Sequence, residues 1–319
     1  MRTPAMILVL ALWLVTAAAS QNGADVVAAE ALKEKAEECE DVATVTDCHS
    51  VYAAGCSLPK SGKYDENFHP RYDAYLAYFK NQIPTVLPES QGVLSLDDFV
   101  SLYQKEPDGI TTNNHASYSE ELLQMREGQY FTVVGYLYYM LINEGGEACN
   151  CVLKNDPPAS DYHVGIGFDA ALAKVAAESG VAAKGQLEKQ SIIVEMTPHY
   201  RAKYHPLWTD TLLKSIYGRQ VKVVGQLLLD NDHAKASDIC SSPPVAADDK
   251  NCWRASPWEL HPVTEFYVCP NASCEVDGAD WVALDEAEAH GIGKSSAAAR
   301  SNASSVKKPT HNKRTRGNN

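Results

Sequence analysis

Carboxylates and imidazoles recur at short spacing along this chain: Asp161 with His163, Glu259 with His261, Glu195 two residues before Thr197, and Asp230 three before His233. Residues two apart on a β-strand share a face, so each Asp/Glu-x-His places a carboxylate beside an imidazole. Such groups suit a divalent metal, whose ordinary ligands they are, or a general base with the acid that orients it. The candidate metal ligands are His163, Asp230, His233 and His261. The candidate catalytic set is Asp161, His163, Glu195, Arg201, Glu259 and His261. In it, the planar and permanently charged Arg201 suits an anionic substrate or a phosphoryl transition state. A plainer interpretation stands beside this one. Polar residues belong on the outer face of a half-exposed antiparallel strand, where a cross-strand His–Glu pair is a modest stabiliser.

Other chemistries lack a motif. There is no G-x-S-x-G elbow, H-E-x-x-H, P-loop or dinucleotide-binding glycine fingerprint. Gly165-Ile-Gly167-Phe168 is too short a glycine pattern to imply phosphate binding. Tyr136, Tyr138 and Tyr139 suit a stacking platform for bases or sugars, although β-propensity alone also supplies tyrosines to a strand.

The elements that must position these side chains are mostly strands. Tyr130–Asn143 reads as a strand that turns at Glu144-Gly-Gly-Glu147 into a second, Cys149–Leu153, forming a hairpin. Strands follow at 161–168, 191–197, 220–229 and 257–268, with a helix at about 170–178 and another opened by Pro206 and ended at Gly218. Alternation assigns Val164, Ile166, Ile192, Val194, Met196, Leu260 and Phe266 to a core and the acids and imidazoles to the opposite faces. Val-Val-Gly occurs at 133–135 and 223–225, where each glycine lets a long strand bend around a small barrel. These features predict a mainly β fold with α: an OB-type Greek-key barrel with an extra strand, preceded by a helical N-terminal layer. An α+β open sheet is the alternative. In that layer a charged helix is expected at 24–38, one from Pro70 to Pro84 carrying Tyr72, Tyr75, Leu76 and Phe79, and one begun by the capping-box spacing Ser95-Leu-Asp-Asp98. A further helix runs from Ser117 to Gly128.

The ends differ from the body. Arg2, the apolar run Ala5–Ala19, and Ala18 and Ser20 ahead of Gln21 form a secretory signal pattern over residues 1–20. Residues 21–128 are then the helical and irregular region, 129–293 the barrel, and 294–319 a disordered basic tail with affinity for anionic polymers. Net charge is −13, and setting aside the single base of residues 1–20 and the seven of 294–319 leaves −21 on the body. Such a surface disfavours general coating of nucleic acid. All nine cysteines follow residue 20, and export to a secreted or periplasmic location favours disulfides. Cys269–Cys274 and Cys240–Cys252 are the expected pairs. Cys149-x-Cys151 lacks a second pair at zinc-site spacing and reads as structural.

Trp258-Glu-Leu-His-Pro-Val-Thr264 resembles the closing strand of a family of uncharacterised, exported bacterial proteins with an OB-like barrel. The likeness takes in Gly55-Cys56, Leu96-Asp-Asp-Phe99, Val134-Gly-Tyr136, Asn150-Cys151, Asp161-Tyr-His163, Val194-Glu-Met196, Val224-Gly-Gln226 with Asp230 and His233, and Cys269 through Trp281. It implies export and a shared fold but no activity. Cys149 falls outside the pattern, which marks it as the unpaired thiol. The functional expectation is a binding module for a small ligand or polymer. The alternative is a metal-assisted hydrolase of the phosphodiesterase or nuclease kind that uses the His/Asp/Glu cluster with a divalent metal.

Overall fold

The computed structural model describes residues 42–48, 74–84, 86–111, 114–143, 147–151, 153, 159–241 and 252–293. The expected signal segment, the helix at 24–38 and the tail after 293 lie outside them. The strands are β1 (Tyr130–Asn143), β2 (Asp161–Gly167), β3 (Ser191–Met196), β4 (Gln220–Leu229), β5 (Trp258–Val268) and the short β6 (Val282–Ala283). The helices are α1 (Ala74–Lys80), α2 (Leu96–Tyr103), α3 (Ser119–Gln124), α4 (Ala170–Ser179), α5 (Lys184–Leu187), α6 (Pro198–Tyr204) and α7 (Asp210–Ser215).

Antiparallel pairing runs β3-β2-β1-β4-β5, and a parallel contact of β3 with β5 at Val194 and Leu260 closes the sheet into a five-stranded barrel. β6 adds an extra strand at the end of β5. The alternating apolar residues fill the interior, where Phe131, Val133, Val164, Ile166, Val194, Met196, Val223 and Leu260 are fully buried. Each such side chain contributes about 1.5–3 kcal/mol. Pairing shifts register around Gly225, where a Cβ would stand 2.9 Å from Leu260 Cβ, so the expected bend occurs in β4. In β1 the shift falls between Leu137 and Tyr139, beyond Gly135.

Three expectations are corrected. Cys149–Leu153 is no barrel strand: among the described residues Cys151 bridges to Ala159 and Leu153 to Val42, outside the barrel ladder, and β2 is the hairpin partner of β1. As a result α4 connects the second and third strands, while α6 and α7 fill the third-to-fourth connection. Pro206 and Trp208 precede α7, whose N-cap is Thr209. Tyr138 and Tyr139 form no stacking platform, because both are buried with Ala173, Ala176 and Ile193. Their rings occupy the space that side chains at Gly167 and Gly165 would need, which is what that glycine pattern provides.

The N-terminal layer covers the barrel wall. Ser95 and Asp98 form a reciprocal capping box at the start of α2, which delivers Phe99 into the core. The C-terminal end of α1 rests on the polar outer faces of the strands. There Gln226, Thr197 and His199 donate hydrogen bonds to the carbonyl oxygens of Phe79, Lys80 and Asn81, at and just past the last turn of the helix, where backbone carbonyls run short of helical donors. Among the described residues no helix is long and apolar enough to cross a membrane.

Candidate functional site

Where they meet, the polar residues of β2, β3 and β5 are buried. Asp161, Glu195, Asp230, Glu259 and His261 have no solvent exposure, and His163 retains 6 %. Register explains the convergence, since His163 lies opposite Glu195 in the β2–β3 ladder and the β3–β5 contact brings His261 alongside. Glu195 joins the two imidazoles: Oε1 is 2.8 Å from His163 Nε2 and Oε2 is 2.6 Å from His261 Nδ1.

The protonation of His261 follows from its neighbours. Thr197 Oγ1 donates its only hydrogen to the carbonyl of Lys80, so it accepts from His261 Nε2 at 3.1 Å. Nδ1 faces Glu195 and, at 3.2 Å, Glu259 Oε1, and so carries a proton as well. Burial opposes the resulting charge, but Glu195 and Cys149 hold the imidazole well above its ordinary range. Burial likewise opposes the charge on His163, which Glu195, Asp161 and Glu147 raise to about 9. Burial disfavours a charged Glu195, yet His163, Lys80 and His261 keep it ionised, well below the usual carboxylate range.

Two fixed cations complete the cluster. Lys80 projects from α1 and places Nζ 3.4 Å from Asp230, 3.6 Å from Glu259 and 3.8 Å from Glu147. Arg254 NH1 lies 3.4 Å from Asp230 and 3.5 Å from Glu259. His233 Nδ1 donates to Asp230 at 2.7 Å. Burial opposes ionisation of Asp230, but Lys80, His233 and Arg254 hold it well below its ordinary value.

Asp161 is the member without such support. Neither carboxyl oxygen receives a hydrogen bond, and the nearest cationic atom, His163 Nε2, is 3.6 Å from Oδ2. Burial and the facing Glu195 raise it to about 7. Two buried carboxyl groups facing each other must share a proton or a cation.

Among the described residues, three sets of ligand atoms lie within 4.8 Å of one another: Cys149, Asp161, Glu195 and His261; Glu147, His163 and Glu195; and Glu195, Asp230 and Glu259. The third is already served by Lys80 and Arg254. The sequence-derived metal set therefore divides, with Asp230 and His233 at the Lys80–Arg254 end and His163 and His261 on either side of Glu195. Arg201 is elsewhere. Its Nε and NH2 donate to the carbonyls of Met196 and Ser160 at 2.8 and 2.6 Å, and its guanidinium stacks 3.4 Å from the Tyr162 ring centroid. Because β3 passes directly into α6, the first helical turn folds Arg201 back onto the strand ends. His199 belongs to the capping of α1, and burial lowers its imidazole to about 4, keeping it neutral.

Strand alternation did not reveal Lys80, Glu147, Cys149 or Arg254 as members. One signal was present for Lys80, which stands one helical turn after the fully buried Leu76 and so shares its face.

The disulfides Cys240–Cys252 and Cys269–Cys274 form as expected, with Cα separations of 5.1 and 5.8 Å. Cys48–Cys151 is an additional bridge, and Cys149 is a buried free thiol. Comparisons with protein-family models, curated proteins and solved structures find no match to this chain.

Proposed function

We propose that this chain is an exported binding module whose barrel wall holds a divalent cation, with Asp161, Glu195 and His261 as oxygen and nitrogen ligands. The carrying observation is the Asp161 carboxyl group, wholly buried, aimed at a second carboxylate and without a hydrogen-bond donor. A cation between Asp161 and Glu195 supplies the missing positive charge. Thr197, which already receives His261 Nε2–H, fixes the ring so that Nδ1 is the ligating nitrogen once its proton leaves. The full enclosure of these groups favours retention of a cation over turnover at it, because a catalytic metal keeps a position open to substrate.

The three disulfides among the described residues fit an oxidising setting, and the signal pattern of residues 1–20 supports a secreted or periplasmic location. The basic tail is the proposed contact for anionic polymers. Kinship with the exported bacterial family is part of the same proposal and rests on the motif likeness.

The test is metal content after dialysis of the full mature chain against Zn2+ or Mn2+ followed by gel filtration. One equivalent is expected for the wild type, with affinity lowered at least tenfold by Asp161→Asn. Absence of stoichiometric metal contradicts the proposal.

A second reading, metal-assisted phosphodiester hydrolysis, is favoured by the outer end of the cluster, where the His163 and Glu147 side chains keep 8 % and 11 % exposure. Metal-dependent cleavage of bis(p-nitrophenyl) phosphate, abolished by His163→Ala without loss of fold, would establish it. No cleavage above a metal-only blank would exclude that activity for this probe.

A further inference from the structure

We infer that Cys149 is the sulfur ligand of this centre, which makes the site one for a borderline thiophilic cation such as Zn2+ or Co2+ rather than Mg2+ or Ca2+; this rests on the metal-binding reading above. A buried free cysteine is ordinarily a small apolar packing group. Cys149 has a different environment: its Sγ lies within 4.8 Å of ligand atoms of Asp161, Glu195 and His261. The thiol therefore stands among charged groups and beside the carboxyl group that lacks a donor.

Its position is built from two sides. Cys151, two residues on, is bonded to Cys48, and Asn150 between them accepts the backbone N–H of Asp161 at 2.8 Å through Oδ1. The loop carrying the thiol is thereby fastened to the first residue of β2, the residue whose carboxyl group faces the site. The same bridge occupies Cys151, so Cys149 has no disulfide partner two residues away to compete for its sulfur.

One sulfur, one imidazole nitrogen and two carboxylate oxygens form a four-donor set, the number a closed zinc site uses. Hard cations prefer all-oxygen shells with water, whereas a thiolate with imidazole selects Zn2+ and its neighbours. On binding, the cation takes the place of the Cys149 thiol proton, the His261 Nδ1 proton and the proton shared by Asp161 and Glu195, and these protons pass to solvent.

The experiment is X-ray absorption spectroscopy on the full mature chain loaded with one equivalent of Zn2+, in the wild type and in Cys149→Ala. The expected wild-type result is one sulfur scatterer at about 2.3 Å with the remainder nitrogen and oxygen at about 2.0–2.2 Å, the sulfur being absent from the variant. Stoichiometric zinc with a nitrogen and oxygen shell alone, or a sulfur that persists in Cys149→Ala, overturns the assignment of Cys149 and leaves the metal-binding reading standing. Failure to retain stoichiometric zinc at all overturns both. Competition provides a readout that needs no variant: retention of Zn2+ against a thousandfold excess of Mg2+ is expected, and displacement by Mg2+ contradicts the thiophilic assignment.

Discussion

Glu195 lies directly across the β2–β3 ladder from His163, and its Oε1 stands 2.8 Å from the imidazole Nε2. Its other oxygen meets His261, so one carboxylate holds two buried imidazolium rings that lie on different strands. Removal of its charge leaves both rings without their closest counter-ion.

Glu195→Gln is therefore expected to destabilise the fold by about 3–5 kcal/mol, the usual cost of breaking one side of a buried ion pair. Urea unfolding of the purified variant measures this. A loss below about 1 kcal/mol would place Glu195 among ordinary surface pairs.

Lys80→Met removes the ammonium group that Asp230 and Glu259 face at 3.4 and 3.6 Å. A loss of about 3–5 kcal/mol is expected here too. The control is Lys214→Met, whose exposed pairing with Asp210 contributes at most about 0.5 kcal/mol. Equal effects of the two substitutions would contradict the role assigned to Lys80.

Glu106 gives a pH dependence separate from the cluster. Burial raises its carboxyl group from 4.5 to about 7, and Oε2 receives no hydrogen bond. Because the folded-state value is the higher one, the neutral form favours the fold; that contribution is complete below pH 4.5 and is lost as pH rises through about 7. Glu106→Gln, neutral throughout, should raise stability at pH 8 by on the order of 1 kcal/mol, a figure reduced for partial solvent screening, and change little at pH 4. Thermal unfolding at the two pH values checks the sign, and a larger gain at pH 4 would refute it.

Arg201→Met should cost about 1–3 kcal/mol, because the carbonyls of Met196 and Ser160 lose a charged donor. Metal affinity should stay within twofold of the wild type. A tenfold fall in isothermal titration would return Arg201 to the site.

Much of the barrel was legible because alternation is strict where it matters. Val164, Ile166, Val194 and Leu260 are core residues, and their strand neighbours His163, Glu195 and His261 lie together on the other side. Alternation misleads about solvent, since it places polar faces outside and carries no information on what covers them. Here α1 and the loop at 147–151 do so, and they bring Lys80, Glu147 and Cys149 from far away in sequence. The Cys149–Leu153 segment carries the residue types of a strand, but the bond from Cys151 to Cys48 anchors it outside the barrel ladder. Arg201 follows a strand whose continuation is helical, and a helical turn reverses where its side chain points.

The central claim is that Asp161 and Glu195 share a cation in the barrel wall with His261. The most direct measurement is anomalous diffraction at the zinc edge from crystals of the protein grown with Zn2+. The account expects a single strong peak inside the wall, at about 2.0–2.2 Å from an oxygen of Asp161, an oxygen of Glu195 and Nδ1 of His261. A map with no peak there, or with peaks on surface residues alone, would contradict it.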